Sequence, residues 1–445
     1  MNLDLPKIKN VHFIGIGGIG ISAIARMFLL ERKDVTGQDM QDSEIIHELT
    51  DAGAKIMIGQ SFDNIPSDTE LVVYTIAIEN YDPELFQKLK EQKNFAIRSY
   101  PEMLGLVSEG KYTIAIAGTH GKTTTTGMIA KVLIENKKDP SVIIGSLMQP
   151  SKFDLGKHGT NFIAGKSDYF VVEACEYRRS FLNINPKVLV ITNIDADHLD
   201  YYKDIEDIKN AFRELAMKVP PDGFVICDPS SEHMADVIKD VKAKVVDSTE
   251  FYNENLKLKL PGIHNKQNAS CAYTVGIILD IGKENIEKAL ENFAGTARRF
   301  EYKGELENGA KVYDDYAHHP HEITASLQGF RELYPKSDGW RITVVFQPHL
   351  FSRTKLLLKE FSESFSEADE VLILPIYYAR EENDGSISSN TLVDLIKKGG
   401  GNAKAYEAFE SVEEYLKNFN FTNQDIIVTM GAGEAFKVGD VLLNK

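Results

Sequence analysis

Cysteine is scarce in this sequence, with three residues in a chain of 445. Cys175, Cys227 and Cys271 lie far apart and are odd in number, so they indicate neither a disulfide framework nor a C-x-x-C metal motif. Their scarcity excludes the small disulfide-rich secreted class and predicts a protein of a reducing compartment, the cytoplasm. The first ten residues also lack the pattern of a signal peptide.

Positive charge is in short supply as well. Fifty Lys and Arg residues stand against 66 Asp and Glu residues, which gives a formal net charge of −16. No basic run is long enough to offset this charge, so the composition disfavours a nucleic-acid-binding protein. An acidic protein that handles anionic substrates must hold its cations inside clefts. We therefore expect small-molecule partners and look for Lys and Arg beside glycine-rich turns.

Long apolar runs are missing too. The best candidate, residues 11–30, is long enough to cross a bilayer, but it contains Arg26 and a cluster of glycines. These residues suit a buried strand, turn and helix better than a membrane span. Low-complexity tracts and short-period repeats are also absent from the sequence. We predict a globular protein with no membrane segment, present as a monomer or homodimer.

The length and the order of the apolar runs indicate several α/β domains. The chain is too long for one ordinary core, and strand-like runs alternate with helical patterns, which is typical of parallel sheets. We predict a Rossmann-like domain over residues 1–107, a central P-loop ATPase-type domain with a parallel or mixed sheet over 108–297, and a C-terminal Rossmann-like α/β domain over 298–445. The predicted strands are Val11–Ile16, Leu71–Tyr74, Thr113–Ala117, Phe170–Glu173, Val188–Thr192, Ile342–Phe346 and Val371–Leu374.

The first glycine-rich turn joins a predicted strand to a helix in a G-x-G-x-x-G pattern. Its glycines are Gly15, Gly17, Gly18 and Gly20. They let the backbone turn tightly and approach a pyrophosphate at the helix N-terminus. Asp39 follows at the end of the next strand, roughly where a ribose hydroxyl would be met. By motif alone, an NAD(P) site, a site for another nucleotide and a purely structural turn are all open.

The second glycine-rich turn contains a lysine. Its members are Gly118, Thr119, His120, Gly121, Lys122, Thr123 and Thr124. The glycines expose backbone N–H groups to a phosphate chain, Lys122 can reach the β and γ phosphates, and the Thr123 hydroxyl can ligate Mg²⁺. This G-x-x-G-K-T loop is shorter than G-x-x-x-x-G-K-[ST], and a turn with a solvated lysine is the structural alternative. We favour ATP binding and phosphoryl transfer.

Two more strands end in groups that bind metal ions. Glu173 ends one of them, and the segment from Asn193 to His198 follows the other. The carboxyl ends of parallel strands gather beside the phosphate loop, so we predict that Glu173 and Thr123 hold one Mg²⁺ and that His198 ligates a second. A structural histidine is the alternative for His198. For Asp195 and Asp197 a solvated loop or helix-cap position is favoured.

The ordered motifs resemble the Mur ligases over nearly the whole chain. The matching segments are Phe13–Gly20, Gly118–Thr124, Glu173–Phe181, Thr192–His198, Pro261–Asn265 with Asn268, Arg298–Phe300, Asp314–Pro320, Phe346–His349 with Arg353 and Thr354, and Gly431–Gly433. Each motif is modest evidence, but nine in the same order are highly specific. The first turn and the segment after Glu173 resemble the L-alanine-adding branch of that family most.

The resemblance implies a role for each matching residue of the first two domains. The four glycines of the first turn would bind the UDP diphosphate rather than NAD. Asp39 would belong to the same UDP-sugar site, and His120 would face the muramate. Lys122 would hold the γ-phosphate of ATP within the second turn. Three residues of the Pro261 motif would lie near adenine: His264, Asn265 and Asn268.

The resemblance also assigns residues of the third domain. Arg299 would meet the ATP phosphates and Asp315 the ATP ribose. His349 and Arg353 would orient the incoming amino acid, with Arg353 on its carboxylate. Catalysis would then rest on positioning and charge neutralisation by Lys122, Glu173, His198 and Arg299.

The implied activity is ATP-dependent ligation of L-alanine to UDP-N-acetylmuramate through an acyl phosphate, in peptidoglycan precursor synthesis. ATP is the co-substrate and two Mg²⁺ ions are the expected cofactors. Leu350 stands where many relatives carry Arg, which leaves open a UDP-N-acetylmuramate ligase that adds another amino acid or a peptide. An NAD(P) oxidoreductase would leave Lys122, Glu173 and His198 without a role. A P-loop switch would hydrolyse ATP without an amino acid.

Overall fold

The computed structural model describes residues 3–148, 159–199, 201–378, 381, 383 and 385–444. The chain is a mixed α/β protein with three sheets, as the alternation of apolar runs predicted. It divides into two compact units, Met1–Asn255 with Gln267–Phe293, and Leu256–Lys266 with Ala294–Lys445. Within the described residues, no helix is both long and apolar enough to span a bilayer.

The first sheet is parallel and has the strand order β3-β2-β1-β4-β5. Its strands are β1 Asn10–Ile14, β2 Asp34–Asp39, β3 Lys55–Ile58, β4 Leu71–Tyr74 and β5 Ala96–Ser99. Its helices are α1 Ile19–Leu30, α2 Glu44–Asp51, α3 Ile78–Tyr81, α4 Pro83–Glu91 and α5 Tyr100–Ser108. This doubly wound order brings the turns after β1 and β4 to the switch point, where such sheets bind nucleotides.

The second sheet has seven strands in the order β12-β11-β10-β6-β9-β7-β8. Its strands are β6 Tyr112–Ala117, β7 Ser141–Met148, β8 Thr160–Ile163, β9 Tyr169–Glu173, β10 Val188–Ile191, β11 Phe224–Cys227 and β12 Lys244–Asp247. Only β8 pairs antiparallel among the described pairings of this sheet, so the sheet is mixed. Its helices are α6 Lys122–Glu135, α7 Ile205–Met217, α8 Met234–Ile238, α9 Ile263–Ile278 and α10 Lys283–Glu291.

Burial on both faces explains the continuous apolar runs of the central strands. Every residue of β10 is buried, as are the last five residues of β6. A parallel strand covered by helices on both sides reads as a run rather than as an alternation. The sequence signal for these strands was therefore strong, and their bounds match the predicted ones to within one residue.

Polar contacts join the first two sheets within the first unit. Asn161 of β8 donates to the Ile19 carbonyl and, at 2.8 Å, to the Ser22 hydroxyl, both in the first turn of α1. Arg178, in the segment after β9, pairs with Glu79 of α3 at 2.7 Å. The glycine-rich turn and the central sheet are thus parts of one packed body.

The second unit contains the third sheet, in the order β13-β14-β18-β15-β16-β17. Its strands are β13 Glu301–Glu305, β14 Lys311–Asp315, β15 Arg341–Phe346, β16 Glu370–Ile373, β17 Ala403–Ala405 and β18 Asp425–Met430. Its helices are α11 Pro320–Leu333, α12 Phe351–Leu356, α13 Leu358–Glu363, α14 Ser389–Lys398, α15 Phe409–Lys417 and α16 Phe436–Leu442. The sheet is parallel apart from the edge strand β13, which pairs antiparallel with β14.

Candidate active site

The phosphate loop connects β6 to α6, and two glycines set its shape. Gly118 has φ +139° and Gly121 has φ +78°, conformations that residues with a Cβ rarely adopt. A Cβ on Gly118 would lie 1.9 Å from the Thr192 hydroxyl oxygen, and one on Gly121 would lie 2.5 Å from Oδ1 of Asn268. The loop therefore needs glycine for both its turn and its close packing, and Asn268 of α9 lies directly beside it.

The segment after β10 fixes the phosphate loop. Asn193 accepts from the His120 N–H at 2.9 Å and donates to the His120 carbonyl at 3.1 Å. The Thr119 hydroxyl accepts from the Asp195 N–H at 2.9 Å, and Asp195 lies 3.2 Å from Nε2 of His120. Asp195 is thus a partner of the loop rather than a solvated position, and the His120 ring is oriented by a carboxylate.

Lys122 begins α6, and its ammonium group lies over its own loop. Nζ donates to the carbonyls of Gly118 at 2.6 Å and Thr119 at 2.9 Å. It also lies 2.9 and 3.2 Å from the two carboxylate oxygens of Glu176. Burial on its own would lower the pKa of Lys122, but the charges of Glu176 and Glu173 and the hydrogen bond to Glu176 act together against it, and the pKa is raised. The lysine is therefore a fixed cation at the mouth of the loop.

Thr123 and Glu173 form the pair that the sequence assigned to the first metal ion. The Thr123 hydroxyl donates to Glu173 at 3.0 Å, and the second carboxylate oxygen accepts from the Gly145 N–H at 2.8 Å. Glu173 ends β9, the neighbour of β6, which brings both groups to the carboxyl edge of the sheet. A hydroxyl and an oriented carboxylate are the hard oxygen ligands that Mg²⁺ prefers, so this pair fits the ion.

His198 lies next to the same group of charges. Its Nε2 is 3.6 Å from Glu176 and 3.8 Å from Asp197, and its ring lies 4.7 Å from that of Tyr177. Its backbone has φ +54°, an uncommon value for a residue with a side chain. A strained backbone that aims an imidazole at a cluster of carboxylates fits a metal ligand.

The first glycine-rich turn lies between β1 and the N-terminus of α1, the place where this kind of fold binds a pyrophosphate. Gly15 has φ +75° and donates to the Gln38 carbonyl at 2.8 Å. The Gly17 N–H donates to Asp39 at 2.9 Å. A Cβ on Gly20 would lie 2.7 Å from the Tyr100 ring, so glycine there permits close packing. Asp39 lies at the end of β2 as predicted, where it also accepts from the turn.

The residues assigned to adenine are divided between the units. Asn268 belongs to the first unit, whereas His264 and Asn265 belong to the second. Asn265 donates to the Pro261 carbonyl at 2.7 Å, which fixes the start of α9. Burial lowers the pKa of His264 to about 4, against the opposing charges of Glu332 and Glu322. His264 is therefore a neutral group at neutral pH.

Arg299 and Asp315 lie close together in the second unit. Asp315 accepts from the Phe300 and Ala317 N–H groups at 3.1 and 2.8 Å and from the Ser326 hydroxyl at 2.9 Å. Burial raises the pKa of Asp315 while the charge of Arg299 opposes that rise. These contacts hold both carboxylate oxygens within the unit itself.

His349 and Arg353 follow β15, on a loop and in α12. The His349 ring stacks on Tyr377 with ring centres 5.5 Å apart, and Arg353 is partly exposed. Leu350, at the position where many relatives carry Arg, is buried, has φ +71° and donates its N–H to the Tyr377 carbonyl at 2.8 Å. An apolar side chain thus takes the place of a cation beside these two residues.

Two residues of this site escaped the sequence analysis. Glu176 is only 3% exposed and carries the charge that faces Lys122. Asn193 makes two of the hydrogen bonds that hold the loop at His120. Both lie in segments that the motifs had singled out, three residues after Glu173 and two after Ile191. The sequence shows only an acid and an amide in these segments, and the fold is needed to see that they contact Lys122 and His120.

Three family models match the chain in sequence. They are the Mur ligase family catalytic domain over residues 10–112, the Mur ligase middle domain over 116–255 and the Mur ligase glutamate ligase domain over 298–433. UDP-N-acetylmuramate–L-alanine ligases of Clostridium kluyveri and Acetivibrio thermocellus are each 41% identical to it. The first match covers all of both chains, and the second covers 99% of this chain and 97% of its relative.

Solved structures give a consistent result. The UDP-N-acetylmuramate–alanine ligase of Thermotoga maritima superposes with a TM-score of 0.79 at 28% identity and covers 98% of both chains. A murein peptide ligase of Psychrobacter arcticus superposes with a TM-score of 0.70 at 23% identity, over 98% of both chains. The second likeness shows the shared fold alone.

Proposed function

Because the chain belongs to the Mur ligase family, we propose that it joins L-alanine to UDP-N-acetylmuramate with ATP, in peptidoglycan precursor synthesis. The observation that carries the proposal is the pairing of two loops in the first unit. One is a glycine-rich turn fit for a diphosphate, and the other is a phosphate loop with Lys122 and the Thr123–Glu173 pair. The full-length relatives that bear this activity in their names support the choice of substrates.

The reaction proceeds in two steps. The muramate carboxylate attacks the γ-phosphorus of ATP, ADP leaves, and the carboxyl becomes an acyl phosphate. The alanine amine then attacks the acyl carbon, phosphate leaves, and the amine loses a proton as the amide forms. Lys122 binds the γ-phosphate oxygens, and the glycine N–H groups of the loop bind the rest of the phosphate chain.

Residues of both units divide the remaining roles. Mg²⁺ bound by Thr123 and Glu173, with a second ion on His198, would neutralise charge on the transferring phosphate. Gly15, Gly17, Gly18 and Gly20 bind the UDP diphosphate beside Asp39, and His120 faces the muramate. Asn268, with His264 and Asn265, lies near adenine. Arg299 meets the phosphates, Asp315 the ribose, and His349 and Arg353 the alanine.

The proposed domains are 1–107, 108–297 and 298–445. Each contains one of the three sheets, which supports the division. We place the reaction in the cytoplasm, because the three cysteines are thiols and suit a reducing compartment. The protein acts on small molecules as a monomer or homodimer, a choice that sedimentation velocity would decide.

The test is phosphate release from ATP and Mg²⁺ with UDP-N-acetylmuramate, across L-alanine, L-serine, glycine and a short peptide. We expect release that needs the nucleotide sugar and is fastest with L-alanine. Release that needs the sugar but prefers another amine would keep the ligase and change its substrate, in line with the apolar Leu350. Release that depends on neither would refute the ligase.

A further inference from the structure

Glu176 is a buried carboxylate between two groups of the proposed nucleotide site. Its side chain is 4% exposed, and its oxygens lie 2.9 and 3.2 Å from Nζ of Lys122. One of them lies 3.6 Å from Nε2 of His198. The two-step mechanism gives Glu176 no role.

The backbone that carries Glu176 is held firmly. Its carbonyl accepts from the Tyr202 hydroxyl and, at 2.9 Å, from the Arg179 N–H. Arg178 and Arg179 follow with φ of +53° and +56°, a pair of left-handed residues that turns the chain away sharply. Ion pairs hold both arginines in place, Arg178 with Glu79 and Arg179 with Asp207. The carboxylate therefore has little freedom to follow Lys122 if the lysine moves.

Binding of a phosphate chain creates a competition for Lys122. The ammonium group already has three acceptors, two loop carbonyls and Glu176, and only Glu176 carries a full charge. A γ-phosphate would bring further negative charge next to a carboxylate that is already buried. Part of the binding free energy of the nucleotide must then be used to draw Lys122 from Glu176.

We propose that Glu176 is a positioning residue that competes with the nucleotide for Lys122. By its contacts with Lys122 and His198 it also aligns these two groups for phosphoryl transfer. The inference rests on the proposed nucleotide site. It predicts that the charge of Glu176 weakens ground-state binding of ATP and yet favours turnover. A residue that only supports the fold would not separate these two quantities.

The test compares Glu176→Gln with wild type in binding and in turnover. Affinity for a fluorescent, non-hydrolysable ATP analogue is measured with EDTA and again with Mg²⁺, and kcat is measured by phosphate release. We expect Glu176→Gln to bind the analogue on the order of tenfold more tightly without metal. The substitution removes the charged hydrogen bond between Glu176 and Lys122 from the free protein, so this bond no longer has to be broken when the nucleotide binds. We expect kcat to fall about tenfold or more in the same variant.

Two further variants make the comparison specific. Glu214→Gln removes a carboxylate that is 60% exposed and pairs with Arg179 at 3.5 Å, and it should leave both quantities unchanged. Glu176→Asp keeps the charge but shortens the side chain. We expect this variant to bind the analogue about threefold more tightly than wild type, with kcat closer to the wild-type value than in Glu176→Gln. If Glu176→Gln does not fold, Glu176→Asp decides the question alone.

The results that would overturn the inference are distinct. Unchanged or weaker analogue binding in folded Glu176→Gln and Glu176→Asp would show that the carboxylate does not compete for Lys122. Tighter binding with unchanged kcat would remove its part in alignment. Failure of the wild-type protein to bind the analogue would instead refute the nucleotide site on which the proposed function depends.

Discussion

Replacing Lys122 with alanine should reduce both turnover and stability. The Lys122 side chain is 13% exposed and that of Glu176 is 4% exposed, so the variant leaves a buried carboxylate without its cation. Removing one partner of a buried pair costs about 3–5 kcal/mol. Because the lysine end retains some solvent, we expect the lower end, about 3 kcal/mol. Loss of the phosphate contact should lower kcat about 10³-fold.

The double variant Lys122→Ala, Glu176→Gln separates the two effects. With the uncompensated charge removed, we expect most of the lost stability to return, while kcat stays as low as in the single variant. Urea unfolding followed by far-UV circular dichroism gives the free energies, and phosphate release gives kcat. Lys187→Ala is the matched control, because its partner Asp222 is 81% exposed and the loss should be below about 1 kcal/mol.

Any of three results would refute this reasoning. A Lys122→Ala protein as stable as wild type, or a double variant no more stable than the single one, would mean that Glu176 does not depend on the lysine. Near-normal turnover in Lys122→Ala would mean that the lysine does not hold the transferring phosphate.

Three further predictions concern His12, Gly118 and Asn193. Burial lowers the pKa of His12 from 6.5 to about 4, so the unfolded chain binds more protons than the folded one between these pH values. About 3 kcal/mol of folding stability should therefore be lost as the pH falls from 7 to 4. In urea unfolding titrations, His12→Asn should reduce this dependence of stability on pH. Gly118→Ala should abolish nucleotide binding in a fluorescence titration, because its Cβ would clash with Thr192. The control Gly53→Ala, at φ +109° with open space around the position, should cost only about 1–2 kcal/mol of stability. Equal effects of the two substitutions on nucleotide binding would contradict the proposed clash. Asn193→Ala should raise KM for ATP roughly tenfold, because the loop loses the two hydrogen bonds that Asn193 makes with the His120 backbone. An unchanged KM would show that the loop holds its shape without them.

The strands and the site edge were predictable because their signals are local. A strand buried on both faces must be apolar throughout, and Gly15, Gly118 and Gly121 have positive φ values that favour glycine. The deviations are at strand ends. The strand predicted over Val11–Ile16 ends at Ile14, because Gly15 turns with φ +75° and bonds to the Gln38 carbonyl. Short edge strands such as β13 and β17 were not predicted, since they are half-exposed and carry little apolar signal.

The environment of the site residues was not predictable in the same way. That a carboxylate of the Glu173 segment faces Lys122, or that Asp195 orients His120, depends on pairs 54 and 75 residues apart in sequence. Such contacts follow from the order of β10, β6 and β9 in the sheet, which a single sequence does not state. The division of the adenine residues between the two units has the same origin, because a helical pattern does not reveal which body each of its turns packs against.

Asn161 and the Arg178–Glu79 pair have a consequence for substrate choice. They tie the turn that would hold the diphosphate to the sheet that carries the phosphate loop, so the span between these two loops is set before any ligand arrives. The first unit would then select its substrate by length. A sugar nucleotide presents its carboxylate to the γ-phosphate only if its own length matches that span. A shorter or longer nucleotide would not place its carboxylate at the γ-phosphate, even if it made every other contact.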